Sequence, residues 1–225
     1  MNNICDKIYC IHFKPYTDRI EPLKQELQRA GIDVQFVFTE DHGKDPVEQA
    51  SDGHLECIRD ALKNNYKKII IMEDDIRFLK NINKVNEYFK NFPEDADIVL
   101  FDYIIHAPRK QQKEIIAKLR GRNKYFFKYN TQIFWSAACY FLSEKGMKHI
   151  LINQENNRLP PDHYTSYLSK SIDREVDLKL NRYLPCECLC IQKIYANNIR
   201  TRRNGSDNSY IRYWNQNTNI KNYNI

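Results

Sequence analysis

No apolar run in this chain of 225 residues approaches the roughly 20 needed to cross a bilayer, and 28% of its residues are charged, which argues against a membrane protein. The N-terminus, MNNICDKIYC, has no basic region leading into an apolar one, so no secretory leader is expected and the expected location is the cytoplasm. The seven cysteines are odd in number and scattered, at Cys5, Cys10, Cys57, Cys139, Cys186, Cys188 and Cys190, mostly inside apolar segments. That distribution suits reduced core thiols rather than a disulfide framework. The run CECLC lacks the two-residue gap of a zinc knuckle, and its cysteines alternate at the period of a strand, which predicts packing rather than metal binding. No internal repeat is present, and only the Asn- and Arg-rich tail is compositionally biased.

Hydrophobic residues make up 42% of the chain and aromatic ones 12%, with 15 Tyr and 11 Phe, far from the disordered range. One globular domain is expected over residues 1–196, followed by the tail at 197–225. Net charge is +6 and unevenly spread. Between Arg109 and Lys128 eight basic residues face one acid, Glu114, and Arg200, Arg202 and Arg203 open the tail. Such patches attract phosphates or other anions, and a peripheral membrane contact is open to them.

The first apolar segment, KIYCIHF, reads as a strand, after which Thr17 or Asp18 can cap a helix with Pro22 in its first turn and Gly31 at its end. In DVQFVF, Val34, Phe36 and Phe38 alternate as in a second strand, which runs into a polar loop from Thr39. Ser51 or Asp52 can cap the next helix, with Leu55, Ile58 and Leu62 on one face, and KIIIMEDDIRF follows. Later segments predict a helix through Ile82, Val85 and Phe89, a strand DIVLFDY, an amphipathic piece through Ile115, Ile116 and Leu119, a strand SAACYFL and a last strand CECLCIQ. Strands alternating with helices predict an α/β fold: a mainly parallel central sheet with helices on both faces. In open sheets of this kind ligands bind at the carboxyl ends of the strands. The turn at His12–Phe13, the loop after Phe38 and the carboxylates Glu73, Asp74 and Asp75 all lie at such ends.

Three consecutive carboxylates repel and raise one another's pKa, so a cation is expected there. Carboxylates with no His or Cys beside them suit Mg²⁺ or Mn²⁺, which complete their octahedra with water and substrate phosphates. The cation implies a phosphorylated ligand; the plain alternative is a solvated acidic turn.

Several stretches resemble glycosyltransferase family 25, the lipopolysaccharide and collagen sugar transferases. They are IYCIHFKPYTDRIEPLKQELQRAGI, GHLECIRDALKNNYKKIIIMEDDIRF, AACYFLSEKGMKHIL, PPDHY and YLPCECLCIQ, in the family's order along nearly the whole chain. Where that family commonly has Asn-Leu this chain has His12-Phe13, and Gly53 stands at the usual Ser. The resemblance implies a GT-A-like fold and inverting transfer of a sugar from a nucleoside-diphosphate sugar, UDP favoured, to a hydroxyl of a glycan or glycoconjugate. It implies Asp75 with Glu73 at a Mn²⁺ or Mg²⁺ ion, Glu73 facing the donor ribose, and Asp74 near metal or sugar. His12, Arg19 and Thr39 would lie around the nucleotide, although the first two also fit a plain surface reading. His54 fits a packed helix-start histidine as well as a ligand contact. Asp162, after Pro160-Pro161, would be the general base, the alternative being a helix cap.

Other classes fare worse. A sugar nucleotidylyltransferase would carry a Gly-rich loop after its first strand, and IHFKPYTDR contains no glycine. An aspartyl phosphatase would place Asp at that strand's end, and none occurs before Asp18. From another class, a nucleic-acid-binding domain would use the basic segment and the tail's Tyr210, Tyr213, Trp214 and Tyr223 to hold phosphates and stack bases.

Overall fold

The computed structural model describes residues 1, 3–43, 46–105, 107–120, 124–130, 133–157 and 179–193. Asp162 and the tail from Asn197 lie outside them.

Strand β1 (Lys7–Phe13) is buried from Ile8 through His12, as befits a strand covered on both faces. Helix α1 (Ile20–Ala30) turns Leu23 and Leu27 inward and ends at Gly31, whose φ of 62° is the left-handed conformation that closes helices. Nothing lies within 4 Å of a Cβ built there, so the glycine answers to backbone conformation and not to space. The N-cap position of α1 is taken by neither Thr17 nor Asp18. Arg19 stands at the N-cap, and its own side chain makes no capping hydrogen bond. The buried carboxylate of Glu26 on α1 accepts the backbone N–H of Phe78 at 2.7 Å, which fastens the helix to strand β4 (Ile76–Phe78).

Strand β2 (Gln35–Thr39) follows, then α2 (Pro46–Lys63). The expected start at Ser51 or Asp52 is corrected: both are interior to the helix, and Pro46, with its fixed φ and missing N–H, occupies the first helical position. A Cβ at Gly53 would lie 3.0 Å from Thr39 Cγ2 and 3.1 Å from Ile11 Cγ2, so the glycine lets α2 lie close against β1 and β2.

Strand β3 (Lys68–Glu73) is the apolar centre, with Ile69, Ile70, Ile71 and Met72 wholly buried. Each such side chain contributes about 1.5–3 kcal/mol of burial. The chain continues through α3 (Ile82–Lys90), whose cap Asn81 accepts the Lys84 N–H, and β5 (Ile98–Leu100). Next come β6 (Ile104–Ile105), α4 (Arg109–Arg120), β7 (Phe126–Lys128) and β8 (Phe134–Trp135). Last are β9 (Cys139–Ser143), α5 (Glu144–Asn157), β10 (Arg182–Pro185) and β11 (Cys190–Gln192).

Among the described residues the main sheet has seven strands, in the order β2-β1-β3-β9-β5-β10-β7. β2, β1 and β3 pair in parallel, as do β5 and β10, while β9 lies antiparallel between β3 and β5, and β7 antiparallel at the far edge. The expected mainly parallel α/β sheet is present, with two antiparallel members. Right-handed crossovers place α1, leading outward to β2, and α2, returning across β1 to β3, on opposite faces. Among the described residues there are also two-stranded ribbons, β4–β11 and β6–β8.

One sequence reading is corrected. CECLCIQ is not one strand: β10 ends at Pro185, Cys186 and Cys188 lie between strands, and only Cys190 enters β11. All three cysteines are nonetheless buried thiols. In β2 Val37 is buried and Phe36 packs partly against the core, while Phe38, near the strand's end, is 52% exposed.

Candidate active site

The parallel registers bring three carboxyl ends to one edge: His12 stands opposite Phe38, Phe13 opposite Thr39, and Ile11 opposite Glu73. After Glu73 the chain turns through Asp74 and Asp75 into β4, and both aspartates are buried.

Asp74 is held by the protein itself. Arg19 Nη1 donates to its Oδ1 at 2.7 Å and His12 Nδ1 to its Oδ2, also at 2.7 Å. Arg19 is buried and its guanidinium lies 4.0 Å from the centre of the Tyr16 ring. Truncating one member of such a buried pair strands the other charge.

Glu73, at the strand's tip, accepts from Gln192 Nε2 at 2.9 Å on Oε2 and stands 3.3 Å from His54 Nε2 through Oε1. A carboxylate only accepts, so Nε2 carries a proton toward Glu73, while Nδ1 lies 2.9 Å from the Tyr140 hydroxyl. His54 is thus a packed histidine and a support of the site at once, stacked on Tyr140 with ring centres 5.6 Å apart.

Asp75 differs from both. Its Oδ2 is 3.7 Å from Arg19 Nη1, and its Oδ1 is buried without a hydrogen-bond partner. Burial first, then the neighbouring charges of Glu73 and Asp74, push its carboxyl well above the ordinary range. A buried, unpartnered carboxylate oxygen among like charges is an arrangement that a divalent cation relieves. Among the described residues no group of three or more His, Cys, Asp or Glu side chains is gathered to hold a metal. A Mg²⁺- or Mn²⁺-type site, with one or two protein carboxylates and the rest water and phosphate, fits this donor set.

Thr39 is half-buried, its hydroxyl 3.5 Å from the His12 carbonyl. Of the residues expected at the site, the structure brings His12, Arg19, Thr39, Glu73, Asp74 and Asp75 to one edge. Sequence reasoning did not assign Tyr140 or Gln192 to the site. Gln192 gave a signal, as the polar end of an apolar run; Tyr140, inside SAACYFL, gave none.

Asp102, just past β5, is fully buried. It accepts from the Ser136 hydroxyl at 2.6 Å and from the Cys139 N–H at 3.1 Å. Burial pushes its carboxyl from 3.8 up to about 7, against the Ser136 hydrogen bond and with the Glu73 charge adding to the rise. A carboxyl raised on folding stabilises the fold below its unfolded pKa, and that contribution is lost as pH climbs through the folded value. Between pH about 4 and about 7 the parent should therefore lose on the order of 4 kcal/mol that Asp102→Asn does not lose. Melting curves at pH 5 and pH 8 check this: the difference between the two proteins should shift in the variant's favour, whereas parallel profiles would contradict it.

The first twelve residues of the basic segment form α4, on which Lys110, Lys113 and Lys118 are exposed and share a face, while Leu119 is buried. No helix among the described residues is long and apolar enough to cross a membrane.

Comparison with known proteins follows the same line. Residues 50–165, just over half of the chain, match the family model of glycosyltransferase family 25 (LPS biosynthesis protein). The chain belongs to that family and is, by family, a glycosyltransferase. No curated protein matches it by sequence. Among solved structures it is similar to a glycosyltransferase involved in the glycosylation of the major capsid of PBCV-1, at 11% identity and TM-score 0.46, covering 80% of this chain and 92% of that one. It is also similar to A197 from STIV, at 14% identity and TM-score 0.38, covering 84% of this chain and 86% of that one. These are loose likenesses of fold and say nothing of substrate.

Proposed function

We propose that the chain moves a sugar from a nucleoside-diphosphate sugar, UDP favoured, to a hydroxyl of a glycan or glycoconjugate, with inversion and with Mn²⁺ or Mg²⁺ bound at Asp75 and Glu73. The observation that supports this most directly is the unpartnered, buried Asp75 Oδ1 at an edge where β1, β2 and β3 all end. A divalent ion there would supply positive charge beside the diphosphate as it leaves.

The chain's own residues divide the remaining work. Arg19 and His12 fix Asp74 and so set the course of the turn that presents Asp75. His54 and Gln192 orient Glu73, which keeps lone pairs free for a ribose hydroxyl or a metal. Asp162, inside the span matched to the family, would take the proton from the acceptor oxygen as that oxygen bonds to the anomeric carbon and the bond to the diphosphate breaks. The lysine face of α4 would suit an acceptor bearing anionic groups.

A panel of UDP-, GDP- and dTDP-sugars scored by thermal shift with Mn²⁺ tests the reading. A donor at 100 times its dissociation constant stabilises the protein by about 2.7 kcal/mol. At least one donor should raise the melting temperature in Mn²⁺ but not in chelator; a panel without any shift counts against it.

A further inference from the structure

Phe38 stands out at the same edge. Its side chain, on an edge strand, is 52% exposed, and its apolar area in water contributes little to the core. Yet the ring is well supported. Phe36 lies stacked beside it at 5.8 Å and 27°, and His12 meets it edge-on at 5.8 Å and 88°, itself fixed by Asp74. An exposed apolar group on a sheet edge is ordinarily avoided, whereas an aromatic ring propped with open surface is a platform for another planar group.

Spacing identifies the group. Phe38 lies on β2, two strands from β3, whose end carries the carboxylates. At about 4.8 Å per strand the two are separated by roughly 10 Å across the sheet, a separation a nucleoside bridges when its diphosphate sits at Asp75. We infer that Phe38 is the stacking platform for the nucleobase of the donor. This rests on the reading of the edge as a nucleoside-diphosphate site and adds where the base lies and what holds it. Stacking is indifferent to base identity, because every base has a π-face, so Phe38 would contribute affinity while any choice among bases comes from other contacts.

The test is calorimetric titration of UDP, GDP and inorganic pyrophosphate, each with Mn²⁺, into the parent, Phe38→Ala and Phe38→Trp. Phe38→Ala should weaken both nucleotides by roughly five- to a hundred-fold, leave pyrophosphate, which has no base, unchanged, and melt as the parent does. Phe38→Trp should bind nucleotides at least as tightly as the parent. Nucleotide affinity unchanged in Phe38→Ala would overturn the inference alone. So would an equal loss for nucleotides and pyrophosphate, since that means a deformed site. If the parent binds neither UDP nor GDP, the nucleoside-diphosphate reading falls, and the inference with it.

Discussion

Asp75→Ala should abolish metal-dependent donor binding while the metal-free protein melts at the same temperature as the parent or higher. Both halves follow from one geometry. Asp75 Oδ1 is buried and unpartnered, and Glu73 and Asp74 crowd it with like charge. Ionised and without a cation, the carboxylate costs the folded state energy, and removing it relieves that cost. Its raised pKa gives the sign: the contribution to stability present at acid pH is lost as pH rises through the folded value, and the alanine variant escapes that loss. Titration of UDP with Mn²⁺ into both proteins, beside melting curves in chelator, decides the matter. Parent-like binding by Asp75→Ala would place the metal elsewhere.

Asp162→Asn should slow sugar transfer by 10² to 10⁴, roughly 3 to 5 kcal/mol in the barrier, with donor affinity preserved. Asn keeps the shape and some capping ability of Asp but cannot accept the proton. The comparison needs transfer to any accepted glycan together with donor affinity. Transfer within about tenfold of the parent, with an unchanged pH profile, would reduce Asp162 to a helix cap. Asp102 would be a poor substitute, because it is fully buried with both oxygens already accepting hydrogen bonds.

What could be read in the sequence was what short-range chemistry fixes. The Ile run into Glu73-Asp74-Asp75 is a strand meeting its polar end, and Gly31 closes α1 because only a left-handed residue does so without strain. Pro46 fits a first helical residue as well as Ser51 and Asp52 fit caps, so local chemistry alone does not decide where α2 begins. Contacts across the chain were not legible. Arg19 reaches Asp74 over 55 positions, and Gln192 reaches Glu73 over 119. Nothing local announces that Asp74 already has partners and that Asp75 Oδ1 has none. The antiparallel insertion of β9 between β3 and β5 is likewise a fact of pairing, since an apolar run such as SAACYFL packs equally well in either direction.

If this edge binds a nucleoside diphosphate through a divalent ion, calorimetry of UDP and GDP with the parent protein should show it. With Mn²⁺ at least one of the two should bind saturably, and the binding should vanish when the metal is chelated. Equal affinity with and without chelator would rule the divalent ion out of the site.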